Sequence, residues 1–287
     1  MSQPTPTNAT NANDANEPTS SEPVLLERPR PHTTVIRMNR PERMNSMAFE
    51  GMVPLHRAIE EVAQDNDTHC VILTGTGRGF CSGADTQHSE PPPNIEGLTL
   101  TRIATRSMTI LADLVPALRR MPQPVICAVN GPAIGGGFCL TLGADIRIAA
   151  ESAYFRAAGI HNGLTATELG ISFLLPRAIG SSRAFEIMLS GRDVDAREAA
   201  EIGLVSRTVP DATLMEAALD LADRINGWST QGVQLTKRML WSGLETASLA
   251  AAIELESHTQ LFVRLTTRNF EEAVAARKEG RPARFED

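Results

Sequence analysis

The sequence predicts an α/β core completed by a helical C-terminal region. Three observations carry that prediction. Short apolar runs rich in β-branched residues begin at positions 33, 70, 125 and 146, and helical patterns and loops separate them. Two of these runs, 70–74 and 125–129, lead straight into glycine-rich loops, GTGRGFCSGAD at 75–85 and NGPAIGGG at 130–137. From Asp211 onward only helical patterns remain.

With 287 residues and 42% hydrophobic content, the chain can bury one large core, or one core plus a smaller appendage. A net charge of −7 without any concentrated basic run argues against nucleic acid as the main partner. The apolar stretches fall short of a bilayer span, and no charged-then-apolar signal opens the chain. The expectation is a soluble, cytoplasmic protein without a membrane partner.

Residues 1–22 carry almost nothing to bury and read as a disordered tail. Folding is expected to begin near Thr33, with a first strand at Thr33–Met38 and turn chemistry at 39–42. Met52, Leu55, Ile59 and Val62 share one helical face within 47–64, where Pro54 predicts a kink or a split. The segment SEPPPN at 89–94 reads as a Pro-rich loop beside the first glycine loop, either a lid or a surface connection. One long helix is expected over 98–120. Beyond the strand at Ile146–Ala150, helical patterns fill much of 168–190, and Asp195 with Glu198 forms a capping-box-like start. A short strand is expected at 205–209, and breaks at Asn226-Gly227 and Ser242-Gly243.

The chemistry concentrates in the two glycine loops. Gly135, Gly136 and Gly137 let the backbone approach a ligand closely and leave the first helical N–H groups without intrahelical partners. Each loop can present an N–H at the C-terminal edge of its strand, where open α/β sheets hold ligands. Two such donors converging on one oxygen make an oxyanion hole. Cys70, Cys81, Cys127 and Cys139 lack metal or redox spacing and read as buried free thiols, with Cys81 and Cys139 as lesser candidates for a catalytic thiolate. The dinucleotide fingerprint, the phosphate loop, the nucleophile elbow and paired metal-binding histidines are all missing, so no metal site is expected.

The segments MNRPERMNSM (38–47), FCSGAD (80–85), AVNGPAIGGG (128–137), LLPRAIGSSRAFEIMLSGR (174–192), AAEIGLVSRTV (199–209) and FEEAVAARKEGRPARF (270–285) resemble, in order and spacing, those of the enoyl-CoA hydratase/isomerase (crotonase) superfamily. The resemblance implies a crotonase-like spiral of β-β-α turns over 23–210. It also implies a helical region over 211–287 that packs between subunits of a homotrimer or dimer of trimers. It implies an acyl-CoA thioester substrate, with coenzyme A arriving as part of the substrate and no permanently bound cofactor. The oxyanion donors carried over are the N–H groups of Ala84 and Gly136, and a thioester oxygen gaining charge in an enolate is the group they would stabilise. The segment Ala84, Asp85, Thr86 and Gln87 would line the CoA path, with Arg43 near the CoA phosphates. Gln87 stands where relatives often carry lysine, and His88 is the neighbouring source of charge.

Departures from the family pattern define the chemistry. Hydratases of the family carry two catalytic glutamates at the positions that here hold Cys139 and Gly159. Glu168, twelve residues before Gly180, falls where members that move double bonds place an acid, and His161 is a candidate assistant. Glu168 reads either as a proton-shuttling base or as a helix N-terminal acid behind Thr165 or Thr167. The favoured expectation is a one-base double-bond isomerase, with enoyl-CoA hydratase and a non-catalytic acyl-CoA binder as alternatives.

Overall fold

The computed structural model describes residues 22–87 and 90–286. The expected tail, apart from Glu22, lies outside these residues, as do His88 and Ser89. In chain order the core elements are β1 (Val24–Arg30), β2 (Thr33–Met38), α1 (Phe49–Ala63), β3 (Cys70–Gly75), α2 (Leu100–Ala112), α3 (Leu114–Arg120), β4 (Val125–Val129), β5 (Ala133–Ile134), α4 (Gly136–Gly143), β6 (Ile146–Ala150) and β7 (Tyr154–Arg156). They continue through α5 (Ile171–Ile179), α6 (Ser181–Ser190), β8 (Val194–Asp195), α7 (Ala196–Glu201) and β9 (Arg207–Val209). Four helices follow: α8 (Leu214–Asn226), α9 (Thr230–Glu245), α10 (Leu249–Thr266) and α11 (Asn269–Glu279).

Six strands form one sheet in the order β1-β2-β3-β4-β6-β9, parallel except for the antiparallel β1 at its edge. A small second sheet, β5-β7-β8, stands at the end where the glycine loops emerge. The strands of the large sheet read as continuous apolar runs because both faces are covered. Val35, Ile72, Ile126, Ala128 and Ile148 point to one side and pack on Leu214, Ala218 and Ala222 of α8. Their neighbours Ile36, Val71, Leu73, Cys127 and Val129 point the other way, into the main core with α1, α3 and α4.

Several expectations need correction. Folding begins at Val24 rather than near Thr33, because β1 pairs with β2. With Pro29 and the charged residues Glu27, Arg28 and Arg30 it has an edge strand's composition, where proline costs no ladder bond, and only Val24 and Leu25 of it are buried. Pro54 neither splits α1 nor ends it. The segment 98–120 is two helices, since Pro116 supplies no N–H for the Ala112 carbonyl. Asp113 at the junction accepts from Arg120 and bonds His56, and these contacts hold its carboxyl down at about 2. The break at Ser242-Gly243 is not made, and α9 runs through both residues. Asp195 caps α7 by accepting from the Glu198 N–H at 2.7 Å, as its spacing predicts. Among the described residues no helix is long and apolar enough to cross a membrane.

Candidate active site

The loop after β3 is held from two sides by asparagines. Asn45 donates from Nδ2 to the carbonyls of Thr76 and Gly79 and accepts from the Arg40 N–H. Asn130 donates to Gly77 and accepts from the Gly75 N–H. The two glycine loops then run side by side: Cys81 N–H donates to Pro132 O, and Ile134 N–H donates to Cys81 O at 2.9 Å. Gly83 lies so close that a Cβ there would sit 2.6 Å from Ile134 O and 3.5 Å from Gly135 Cα.

Met47 orients the first candidate donor. Its N–H donates to Gly83 O at 2.7 Å, and its carbonyl accepts from Asp85 N–H at 3.3 Å. In that pairing the Ala84 N–H faces away from Met47, and it meets no acceptor among the described residues. The second donor, the Gly136 N–H, belongs to the first residue of α4 and has no intrahelical acceptor. Gly135 just ahead of it adopts φ 54° and ψ −121°, a conformation that glycine reaches without penalty. The Met47 thioether and Leu169 cover the Gly136 Cα.

The structure brings Glu168 to this pair. A Cβ on Gly135 would lie 3.2 Å from Glu168 Oε1, so the carboxylate rests against the glycine loop. Glu168 reaches solvent on one side, yet burial of the rest of it raises its carboxyl above the usual glutamate range. It is not a helix N-terminal acid: α5 begins at Ile171 behind Gly170, and neither Thr165 nor Thr167 caps it. His161 does not join Glu168, because its Nε2 is hydrogen-bonded to Gly191 O at 2.6 Å.

Arg43, Asp85 and Gln87 form one cluster. The Arg43 guanidinium grips Asp85 with Nε and Nη2 and donates to Gln87 Oε1 at 2.8 Å. Asp85, its side chain 2% exposed, also accepts from Ser46 Oγ and from the Gln87 N–H. Its carboxylate therefore shapes the loop from within, and the exposed side of the segment belongs to Ala84, Thr86 and Gln87.

Cys139 and Gly159, which the family resemblance sets at the hydratase glutamate positions, are both closely packed. Cys139 is fully buried, and its thiol donates to the Glu168 carbonyl at 3.4 Å. Gly159 packs against the backbone of Thr165 and Ala166, so closely that a Cβ would collide with the Thr165 carbonyl. No side chain fits there in this backbone. All four thiols are buried, and burial, which pushes Cys70 and Cys81 up to about 12 and raises Cys127 and Cys139 as well, disfavours the thiolate form. Among the described residues no cluster of three metal-ligating side chains occurs.

A family model described as enoyl-CoA hydratase/isomerase matches residues 32–287. The chain belongs to the enoyl-CoA hydratase/isomerase family. It is 62% identical over 264 residues to the probable enoyl-CoA hydratase EchA12 of Mycobacterium tuberculosis H37Rv, covering 92% of this chain and 93% of that relative. A crystal structure of a probable enoyl-CoA hydratase/isomerase from Mycobacterium abscessus superposes with a TM-score of 0.87 at 56% identity, over 91% of this chain and 98% of the other. A monofunctional enoyl CoA isomerase from M. smegmatis superposes with a TM-score of 0.70 at 55% identity, over 81% and 99%. The fold is therefore the crotonase fold with its C-terminal helical region, as the sequence motifs imply.

Sequence reasoning marked Asn130 only as the start of a loop and missed its bonds, and it missed the bonds of Asn45, Ser46 and Met47 that help build the loops. Asn45 was findable in part: with φ 54° it occupies the left-handed region that asparagine tolerates better than most residues. Met47 gave no signal, since its role lies in its backbone pairing with Gly83 and Asp85.

Proposed function

We propose that this enoyl-CoA hydratase/isomerase family member is an enoyl-CoA double-bond isomerase working through a thioester enolate. The Ala84 and Gly136 N–H groups bind the thioester oxygen, and Glu168 is the single base. As the base removes a proton beside the double bond, charge collects on the thioester oxygen, where the two donors hold it. Their contribution falls on the transition state because the charge forms there, and one such donor is worth about 3 kcal/mol in other enzymes. Glu168 then returns the proton to a different carbon of the same substrate. A carboxyl raised by its partial burial suits both halves of that transfer.

The observation that carries this reading is the Glu168 carboxylate resting against Gly135, while the loop's own carboxylate, Asp85, is engaged by Arg43 and Ser46. Hydration across a double bond uses a positioned water and a second acid, and Gly159 leaves no room for one while Cys139 offers only a neutral thiol. The similarity to the monofunctional isomerase supports it. The similarity to a protein named a hydratase favours the second reading, in which Glu168 alone holds the water. The CoA moiety is proposed to follow the segment Ala84, Asp85, Thr86 and Gln87, with Arg43 as its scaffold. Second copies of this chain are proposed to cover α9 and α10, in a trimer or dimer of trimers. There Leu240, Leu249, Leu261 and Leu265 stand exposed, and α10 has no buried residue in the single chain.

The test is deuterium exchange and product mass for a panel of 2-enoyl-, 3-enoyl- and saturated acyl-CoAs, comparing wild type with Glu168→Gln. Double-bond movement that the substitution abolishes, with acyl-CoA affinity intact, is the expected result. Water addition without double-bond movement would replace this reading with hydratase. Binding without exchange or product would leave a non-catalytic binder.

A further inference from the structure

We propose that Cys139 is a positioning residue, whose buried thiol holds the peptide that aims the Glu168 carboxylate and ties it to the glycine loop. The inference rests on the reading of Glu168 as the base.

Three features meet at this residue. The Cys139 N–H donates to Gly135 O at 3.1 Å while its Sγ donates to Glu168 O at 3.4 Å, so one residue bonds to both the loop and the carboxylate's own backbone. The Glu168 carboxylate meets no hydrogen-bond donor among the described residues, so its place depends on its backbone and on its packing against Gly135. That backbone is strained: Leu169 stands at φ 46° and Gly170 at φ 88°, and a left-handed leucine costs about 1–2 kcal/mol. Among the described residues, the Glu168 carbonyl accepts, besides the thiol, only the Ile171 N–H, at 2.9 Å.

The residue type fits the task. A thiol is a weak donor that tolerates full apolar burial, and it stays neutral beside Glu168. A carboxylate at this position would instead face Glu168 as a like charge and perturb its protonation. The position that supplies a catalytic acid in a two-acid site thus serves here to hold the remaining acid in place.

The experiment measures proton exchange, KM, affinity for a saturated acyl-CoA and melting temperature for Cys139→Ala, Cys139→Val, Cys139→Ser and Glu168→Gln. Cys139→Ala and Cys139→Val are expected to lose about tenfold or more in kcat, because small displacements of a reacting group are costly. Their KM and saturated acyl-CoA affinity should stay within about twofold. Cys139→Ser restores the donor and should recover kcat to within about threefold of wild type, although a hydroxyl suits an apolar core least. The reverse order, with Cys139→Val the best variant, Cys139→Ser the worst and kcat tracking melting temperature, would show a core filler and overturn the proposal. Should Cys139→Val fail to fold, the comparison of alanine with serine decides. An inactive Glu168→Gln alongside a fully active Cys139→Ala overturns this inference alone. An active Glu168→Gln overturns the reading of Glu168 and this inference with it.

Discussion

Gly135→Ala tests the geometry of the site at its tightest point. Alanine at φ 54° and ψ −121° adopts a backbone conformation that L-residues avoid, at a cost of about 1–3 kcal/mol. Its methyl group would lie 3.2 Å from Glu168 Oε1, 3.5 Å from Ala158 Cβ and 3.9 Å from Gly83 Cα. None of these is a hard collision, so the fold should survive with the strain as its main loss. At about 2 kcal/mol, that strain lowers the melting temperature by roughly 4–8 °C for a chain of this size. Activity should suffer far more. Any rotation that relieves Gly135 turns the following peptide, which carries the Gly136 N–H, while the methyl pushes Glu168 outward. Loss of one oxyanion donor costs about 10²- to 10³-fold in kcat. The assays are thermal melting by circular dichroism and deuterium exchange into a 3-enoyl-CoA, with affinity for a saturated acyl-CoA as a control. A folded variant exchanging within threefold of wild type would refute the assignment of this loop to the reacting oxygen.

Two further outcomes follow from charges held wholly or partly out of water. Lys237 bonds Asp145 at 3.0 Å and the carbonyls of Leu118 and Gln123, while Asp145 also accepts from Trp241 and from the Val125 N–H that starts β4. Lys237→Ala leaves Asp145 and two carbonyls without that partner and should cost about 3–5 kcal/mol in urea unfolding, whereas a loss under 1 kcal/mol would contradict the burial described. For Glu168, the folded-state carboxyl is raised by burial, so the native state holds its proton longer than the unfolded chain. The stability this confers is complete below the unfolded glutamate pKa of about 4.3 and disappears as pH rises through the raised value. Glu168→Gln should therefore melt above wild type at pH 8, with the gap closing at pH 4, and a gap independent of pH would rule out burial as the cause.

Much of the fold is legible in the sequence because its strongest signals are local. The strands Thr33–Met38 and Ile146–Ala150 are short runs rich in β-branched and apolar residues, and they appear with those bounds in the structure. The asparagine-glycine-proline turn and the glycine triplet stand out in the same way, since a tight approach demands glycine whatever surrounds it. Where the reading failed, the deciding partner was distant or absent from the local pattern. β1 becomes a strand only because β2 pairs with it, and Pro54 is tolerated within a helix whose apolar face is buried against the core.

The sequence by itself determined the family, the two glycine loops, and the presence of Cys139 and Gly159 where the family resemblance implies hydratase glutamates. Those are statements about residue types in order, which chain order alone can carry. Only the tertiary structure decided that Glu168 rests against Gly135 and that its carbonyl takes the Cys139 thiol. It also showed that Arg43 is engaged by Asp85, and that Gly159 excludes a side chain because the Thr165 carbonyl occupies its space. Each of these joins segments that only packing brings together, and the direction of a carboxylate depends on backbone angles and neighbours that residue order does not encode.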